Sequence, residues 1–144
     1  MVIGIFGESC TGKSTLAEAI SACIPCEVIT GKDYLRLAKN ENMAKALFRK
    51  KLDAAMDGAH IIYVIAEKEH LALLPEGAVR ILVTADLENI KNRFAQRMHG
   101  NLPAPVAAML ERKHGCFDAE QHDIHMVSGE TDPDEICKII KERV

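Results

Sequence analysis

The chain has 144 residues, of which 48% are hydrophobic and 27% charged, and a net charge of −3 at neutral pH. That length suits one domain with a substantial core, and the slight negative charge argues against a nucleic-acid partner held mainly through its phosphates. No apolar run approaches the roughly 20 residues of a membrane span, and five cysteines without a secretory context read as free thiols, so the chain is expected in the cytoplasm.

MVIGIF (1–6) reads as a buried strand, and it runs straight into GESCTGKST (7–15). There Gly7 and Gly12 are separated by four residues, and Lys13 and Ser14 follow, which is the G-x-x-x-x-G-K-[ST] pattern of a phosphate-binding loop. Glycines let the backbone curl so that the amides of Gly7, Glu8, Ser9, Cys10, Thr11, Gly12, Lys13, Ser14 and Thr15 can face phosphate oxygens. Lys13 can reach the β- and γ-phosphates of ATP, and the Ser14 hydroxyl can ligate the accompanying Mg²⁺. A chance glycine-rich turn is the alternative, and the strand before and helix after argue against it. That helix (13–23) carries Leu16, Ala19, Ile20 and Cys23 on one face.

CEVIT (26–30) reads as a second strand, and GKDYLRLA then opens a helical stretch. A second helical pattern with Met43, Leu47, Leu52 and Met56 ends near Gly58. HIIYVIA (60–66) and VRILVTA (79–85) are nearly uninterrupted apolar runs, as in strands covered on both faces. Asp86 suits the N-cap of a helix carrying Leu87, Ile90, Phe94 and Met98; HGNLPAP breaks it, and Pro103 or Pro105 can start the next helix. HDIHMVS (122–128) is a fifth strand, and a capped terminal helix turns Ile136, Ile139 and Ile140 inward. Strands alternating with helices predict an α/β chain: a three-layer α/β/α sandwich on a five-stranded parallel sheet, with the P-loop nucleoside triphosphate hydrolase fold. Residues 1–144 then form a single domain.

This layout resembles the small P-loop kinases, with nucleoside monophosphate kinases and shikimate kinase nearest in plan. It looks most like the cytidylate-kinase branch. TGKDYLRLA (30–38) is similar to the T-G-x-x-Y-R-x-x-A stretch with which cytidylate kinases hold the acceptor nucleotide. NRFAQRM (92–98) resembles the arginine-bearing start of the lid, here spanning approximately 93–120, and HDIHMVSGETDPDEI resembles the family's final strand, base-side loop and helix. The chain departs from the family in three places. Leu35 stands where the family has arginine, with Arg36 one position later, about 100° around a helix. The third strand ends in AEKEH without an Asp-Gly element, and LERKHGCFD offers Glu111, Arg112, Lys113 and Asp118 in a different lid arrangement. The resemblance implies ATP and Mg²⁺, a small-molecule acceptor such as a nucleotide or nucleoside, and no membrane partner. It leaves the acceptor's identity and the oligomeric state open.

Arg93 and Arg97 lie four apart on one helix, so their guanidinium groups can converge on a transferring phosphoryl group; otherwise they form a solvated basic face near Glu88. The same helix would be anchored to the core by Phe94 and Met98. Asp33 can orient a Mg²⁺ water or accept the proton of an acceptor hydroxyl, or simply stabilise a helix start. Tyr34 can stack on a base or pack, Arg36 faces the acceptor in the kinase reading, and Glu67 either acts on Mg²⁺ through water or is a solvated loop residue. SGET (128–131) would lie beside the adenine. Cys23 and Cys26 have redox spacing, but at a helix end, and read as packing. His114, Cys116, His122 and His125 lack a zinc-ligand knuckle, and Cys10 is a thiol whose oxidation would block the loop. No N-K-x-D guanine motif occurs. The alternative to a kinase is a nucleotide-binding regulatory module or slow ATPase.

Overall fold

The computed structural model describes residues 1–144. Five strands, β1 (Val2–Phe6), β2 (Glu27–Thr30), β3 (Ile61–Ile65), β4 (Val79–Thr84) and β5 (Ile124–Val127), form one sheet in the order β2-β3-β1-β4-β5. Every pairing is parallel, with β1 in the middle: Ile3 registers with Ile62 on one side and Val79 on the other. β1 and β3 are buried at every position, which is why they read as unbroken apolar runs.

Helices cover both faces. α1 (Lys13–Cys23) and α5 (Pro133–Arg143) pack Leu16, Ile20, Ile136 and Ile140 against Ile3, Ile5 and Ile81. α2 (Glu41–Ala55) covers the other face, where Phe48 and Leu52 meet Phe6, Tyr63 and Leu82. α3 (Leu87–Arg97) and α4 (Ala104–Lys113) pack on each other through a small third cluster around Ile90 and Leu110. No helix is long and apolar enough to cross a membrane.

The expected architecture is observed, and several local expectations are corrected. Residues 33–37 form a 3₁₀ turn, and α2 begins only at Glu41, where the Asn40 side chain accepts from the Met43 amide. The buried face of α2 is Ala44, Phe48, Leu52 and Ala55, while Met43 and Leu47 are exposed. On α1 the inward residues are Leu16, Ala17 and Ile20, and Cys23 faces solvent. On α5 Cys137 is buried and Ile139 is exposed. Met98 is likewise exposed, and Phe94 is half-buried against the third cluster. Between β3 and β4 the crossover has no α-helix. A 3₁₀ turn at Lys68–Leu73 presses Leu71, Leu73 and Leu74 onto the sheet instead.

Candidate functional site

The loop between β1 and α1 sits on the carboxyl edge of the sheet, beside the central strand. The Gly7 amide donates to the Ile65 carbonyl at 3.2 Å, so the loop leaves the sheet hugging β3. A Cβ on Gly7 would fall 2.2 Å from the Val83 carbonyl oxygen, so only glycine fits between the neighbouring strands. Gly12 caps α1 at a φ of 102°, and no side chain caps that end, which leaves the first-turn amides free for an anion. Cys10 also lies at positive φ, 64°, where a non-glycine residue is strained by roughly 1–3 kcal/mol.

Two side chains hold the loop closed. Thr11 Oγ1 donates to the Glu8 carbonyl at 2.9 Å, and Lys13 Nζ donates to the same oxygen at 2.5 Å. Lys13 is only 7% exposed. Burial pushes its ammonium down to about 8, with the Arg97 charge acting in the same direction and Cys10 and Glu8 partly offsetting them.

α3 brings its arginines to this loop. Arg93 donates Nη1 to the Cys10 carbonyl and Nη2 to Ser128 Oγ, both at 3.0 Å, so one guanidinium fork joins the loop to the segment after β5. A cleft of about 900 Å³ opens between them, walled by Thr15, Arg93, Arg97 and the 128–133 segment. A second cavity of about 210 Å³ adjoins it and is lined by Lys13, Ser14, Thr30, Gly31 and Arg97. Arg97 borders both. The structure therefore brings Lys13, Ser14, Arg93, Arg97 and Ser128–Thr131 around two adjoining cavities, with Arg97 between them.

The acceptor candidates lie elsewhere. Asp33 Oδ2 accepts from the Thr30 amide at 3.3 Å, tying down its own loop. Asp33 and Arg36 line a separate cavity of about 240 Å³ with Glu27 and Lys51, against the outer strand β2. Tyr34 is buried and stacked on Phe48, with centroids 5.3 Å apart. Glu67 is exposed, two residues beyond β3.

Sequence reasoning missed a further tie. The Glu8 carboxylate faces the segment after α4, with Oε1 3.1 Å from His114 Nδ1 and Oε2 accepting from the Gly115 amide at 3.2 Å. The remaining histidines of the 114–125 stretch have separate partners: His122 meets the Glu120 carbonyl, and His125 meets Thr84 Oγ1 at 2.8 Å. Cys26 packs against the face of the sheet that α1 covers, and burial raises its thiol.

The chain matches no protein-family model, and no curated protein matches its sequence. Solved structures do match over nearly the whole chain. The tunicamycin resistance protein of Deinococcus radiodurans superposes with a TM-score of 0.67 at 16% identity, covering 99% of this chain and 94% of that one. Shikimate kinase from Acinetobacter baumannii, in complex with shikimate, gives 0.64 at 11% identity over 99% and 91%. A gluconokinase from Sinorhizobium meliloti 1021 gives 0.60 at 13% identity over 95% and 87%. At such identities the likeness establishes the fold: an α/β chain with a five-stranded, all-parallel sheet between helices, shared with small kinases.

Proposed function

We propose that the chain is an ATP-dependent phosphotransferase that moves the γ-phosphoryl group to the hydroxyl or phosphate of a small acceptor, in the manner of the cytidylate-kinase branch, with nucleotides and nucleosides as the first acceptors to test. The observation that carries the reading is that Lys13, Arg93 and Arg97, from the loop and from α3, border two adjoining cavities at the sheet edge, with Arg97 shared by both. Phosphoryl transfer is mostly positioning and charge neutralisation, and three cations around uncapped helix amides supply both.

The residues present fit a nucleoside triphosphate. No side chain caps the first-turn amides of α1 at Gly12, and the cleft of about 900 Å³ is of nucleotide-binding size. The exposed Ser14 hydroxyl, at the start of α1 beside Lys13, is the group that would hold Mg²⁺, with Glu67 acting through water. When bound, ATP supplies the phosphoryl group and Mg²⁺ offsets the charge of its oxygens. Lys13 exchanges the neutral Glu8 carbonyl for phosphate oxygens, a stronger charge-assisted bond. Arg93 holds the loop to Ser128, while Arg97, at the border of both cavities, is free to follow the transferring group. Ser128–Thr131 offer backbone to the base, and residues 93–120 act as the lid of a single cytoplasmic domain.

A second reading has one observation in its favour. None of the residues lining the 210 Å³ cavity carries a carboxylate, and Asp33 is engaged by Thr30, so no general base stands beside Lys13. A slow ATPase or nucleotide-binding regulatory module needs none. Product analysis after incubation with Mg-ATP separates the two: a phosphorylated acceptor supports the kinase, whereas inorganic phosphate alone, or bound and unchanged ATP, supports the module.

A further inference from the structure

The 3₁₀ turn after β3 carries a cluster that the phosphate site leaves mostly unused. Glu67, Glu69 and His70 each present a ligand atom, and these atoms lie within 4.8 Å of one another. The His70 side chain is only 5% exposed, and its Nδ1 is sealed from solvent with no hydrogen-bond partner. Its Nε2 stands 3.9 Å from Glu69 Oε1, too far for a hydrogen bond. The imidazole is thus buried with Nδ1 unpartnered on its sealed side, and Nε2, facing Glu69, is the nitrogen left open to a ligand. The carboxylates are unpaired as well. Lys68, between them in sequence, turns to Glu120 at 3.4 Å, and Lys32, Lys45 and Arg49 line the adjoining cavity without coming within ion-pair distance of either.

We propose that Glu67, Glu69 and His70 bind a divalent cation of the zinc class on the 3₁₀ turn between β3 and β4. Donor atoms on a tetrahedral zinc with bonds of about 2.0–2.1 Å stand roughly 3.4 Å apart, so small rotations of two exposed glutamates complete the set. His70 stays fixed in the core, its ring 6.0 Å from that of Tyr34 and 6.3 Å from that of Tyr63. One imidazole with two carboxylates suits a borderline cation; Mg²⁺ and Ca²⁺ prefer oxygen alone. Glu67 bound here is no longer free to act on Mg²⁺ through water, whereas Glu69 and His70 have no part in the nucleotide reading.

The test uses the full chain, stripped with chelator, then titrated with Zn²⁺ by calorimetry and with Co²⁺ as a coloured probe. The expected result is one site per chain, a cobalt spectrum without thiolate charge transfer, and at least about tenfold weaker binding in Glu69→Gln and Glu67→Gln. Saturating Zn²⁺ should raise the melting temperature of the wild type by roughly 5–10 °C and that of Glu69→Gln by far less. Because His70→Asn removes a core side chain, the two exposed glutamate variants carry the argument. Binding that is unchanged in both variants, a thiolate spectrum, equal affinity for Mg²⁺, or no binding at all would each overturn the proposal.

Discussion

Replacing Lys13 by methionine removes a buried ammonium while keeping a stem of similar length. Burial lowers this lysine from 10.5 to about 8, a gap equivalent to about 3 kcal/mol of stability withheld at pH 7. The substitution also deletes the bond from the charged Nζ to the Glu8 carbonyl, worth about 2 kcal/mol, though that oxygen keeps the Thr11 hydroxyl. Without nucleotide, Lys13→Met should therefore be about 1 kcal/mol more stable than the wild type at pH 7, or roughly 2–4 °C in melting temperature. The sign has a pH signature. Below about pH 8 the folded wild type carries the full penalty. Between about 8 and 10.5 the unfolded chain binds a proton that the folded chain has released, so wild-type stability rises and the advantage of Lys13→Met narrows. Urea denaturation of both proteins at pH 7 and pH 10 reads this directly. A variant less stable than the wild type at pH 7, or a gap that stays constant with pH, would refute the burial argument.

Arg93→Ala breaks the fork between Cys10 and Ser128 and should weaken ATP binding at least tenfold, measured by calorimetry, with Arg93→Lys recovering only part. Asp33→Asn separates two roles: a loop tie costs about 1 kcal/mol or less and leaves turnover within a few fold, whereas loss of a general base lowers kcat by 10²–10⁴. The tie to the Thr30 amide leads us to expect the small effect. Gly7→Ala places a methyl group against the Val83 carbonyl and should cost several kcal/mol of stability, visible as a large drop in the urea midpoint.

Features set by local pattern are legible in the sequence. β3 is a continuous apolar run and β4 is one broken only by Arg80 before Thr84, because both faces of the sheet are covered, and Gly7, Gly12, Lys13 and Ser14 mark the loop by spacing alone. The phase of α2 is harder to read. Half of its buried face is alanine, at 44 and 55, whereas the strongly apolar Met43 and Leu47 point outward. The site's cross-links are not legible at all: Arg93 reaches Cys10 across 83 residues and Glu8 reaches His114 across 106, separations that no periodicity encodes. Asp33 shows the opposite difficulty, since its partner is a backbone amide only three residues away and any short polar residue there reads the same. The charge of Arg93 suggests a ligand contact; only the fold shows that it also braces the loop.

The central claim is best tested by incubating the protein with Mg²⁺ and γ-labelled ATP against a panel of nucleosides, monophosphates and small hydroxylated anions, with Lys13→Ala in parallel. Label transferred to one acceptor by the wild type and lost in Lys13→Ala is the expected result. Tight ATP binding with no labelled acceptor would contradict the kinase and leave the regulatory module.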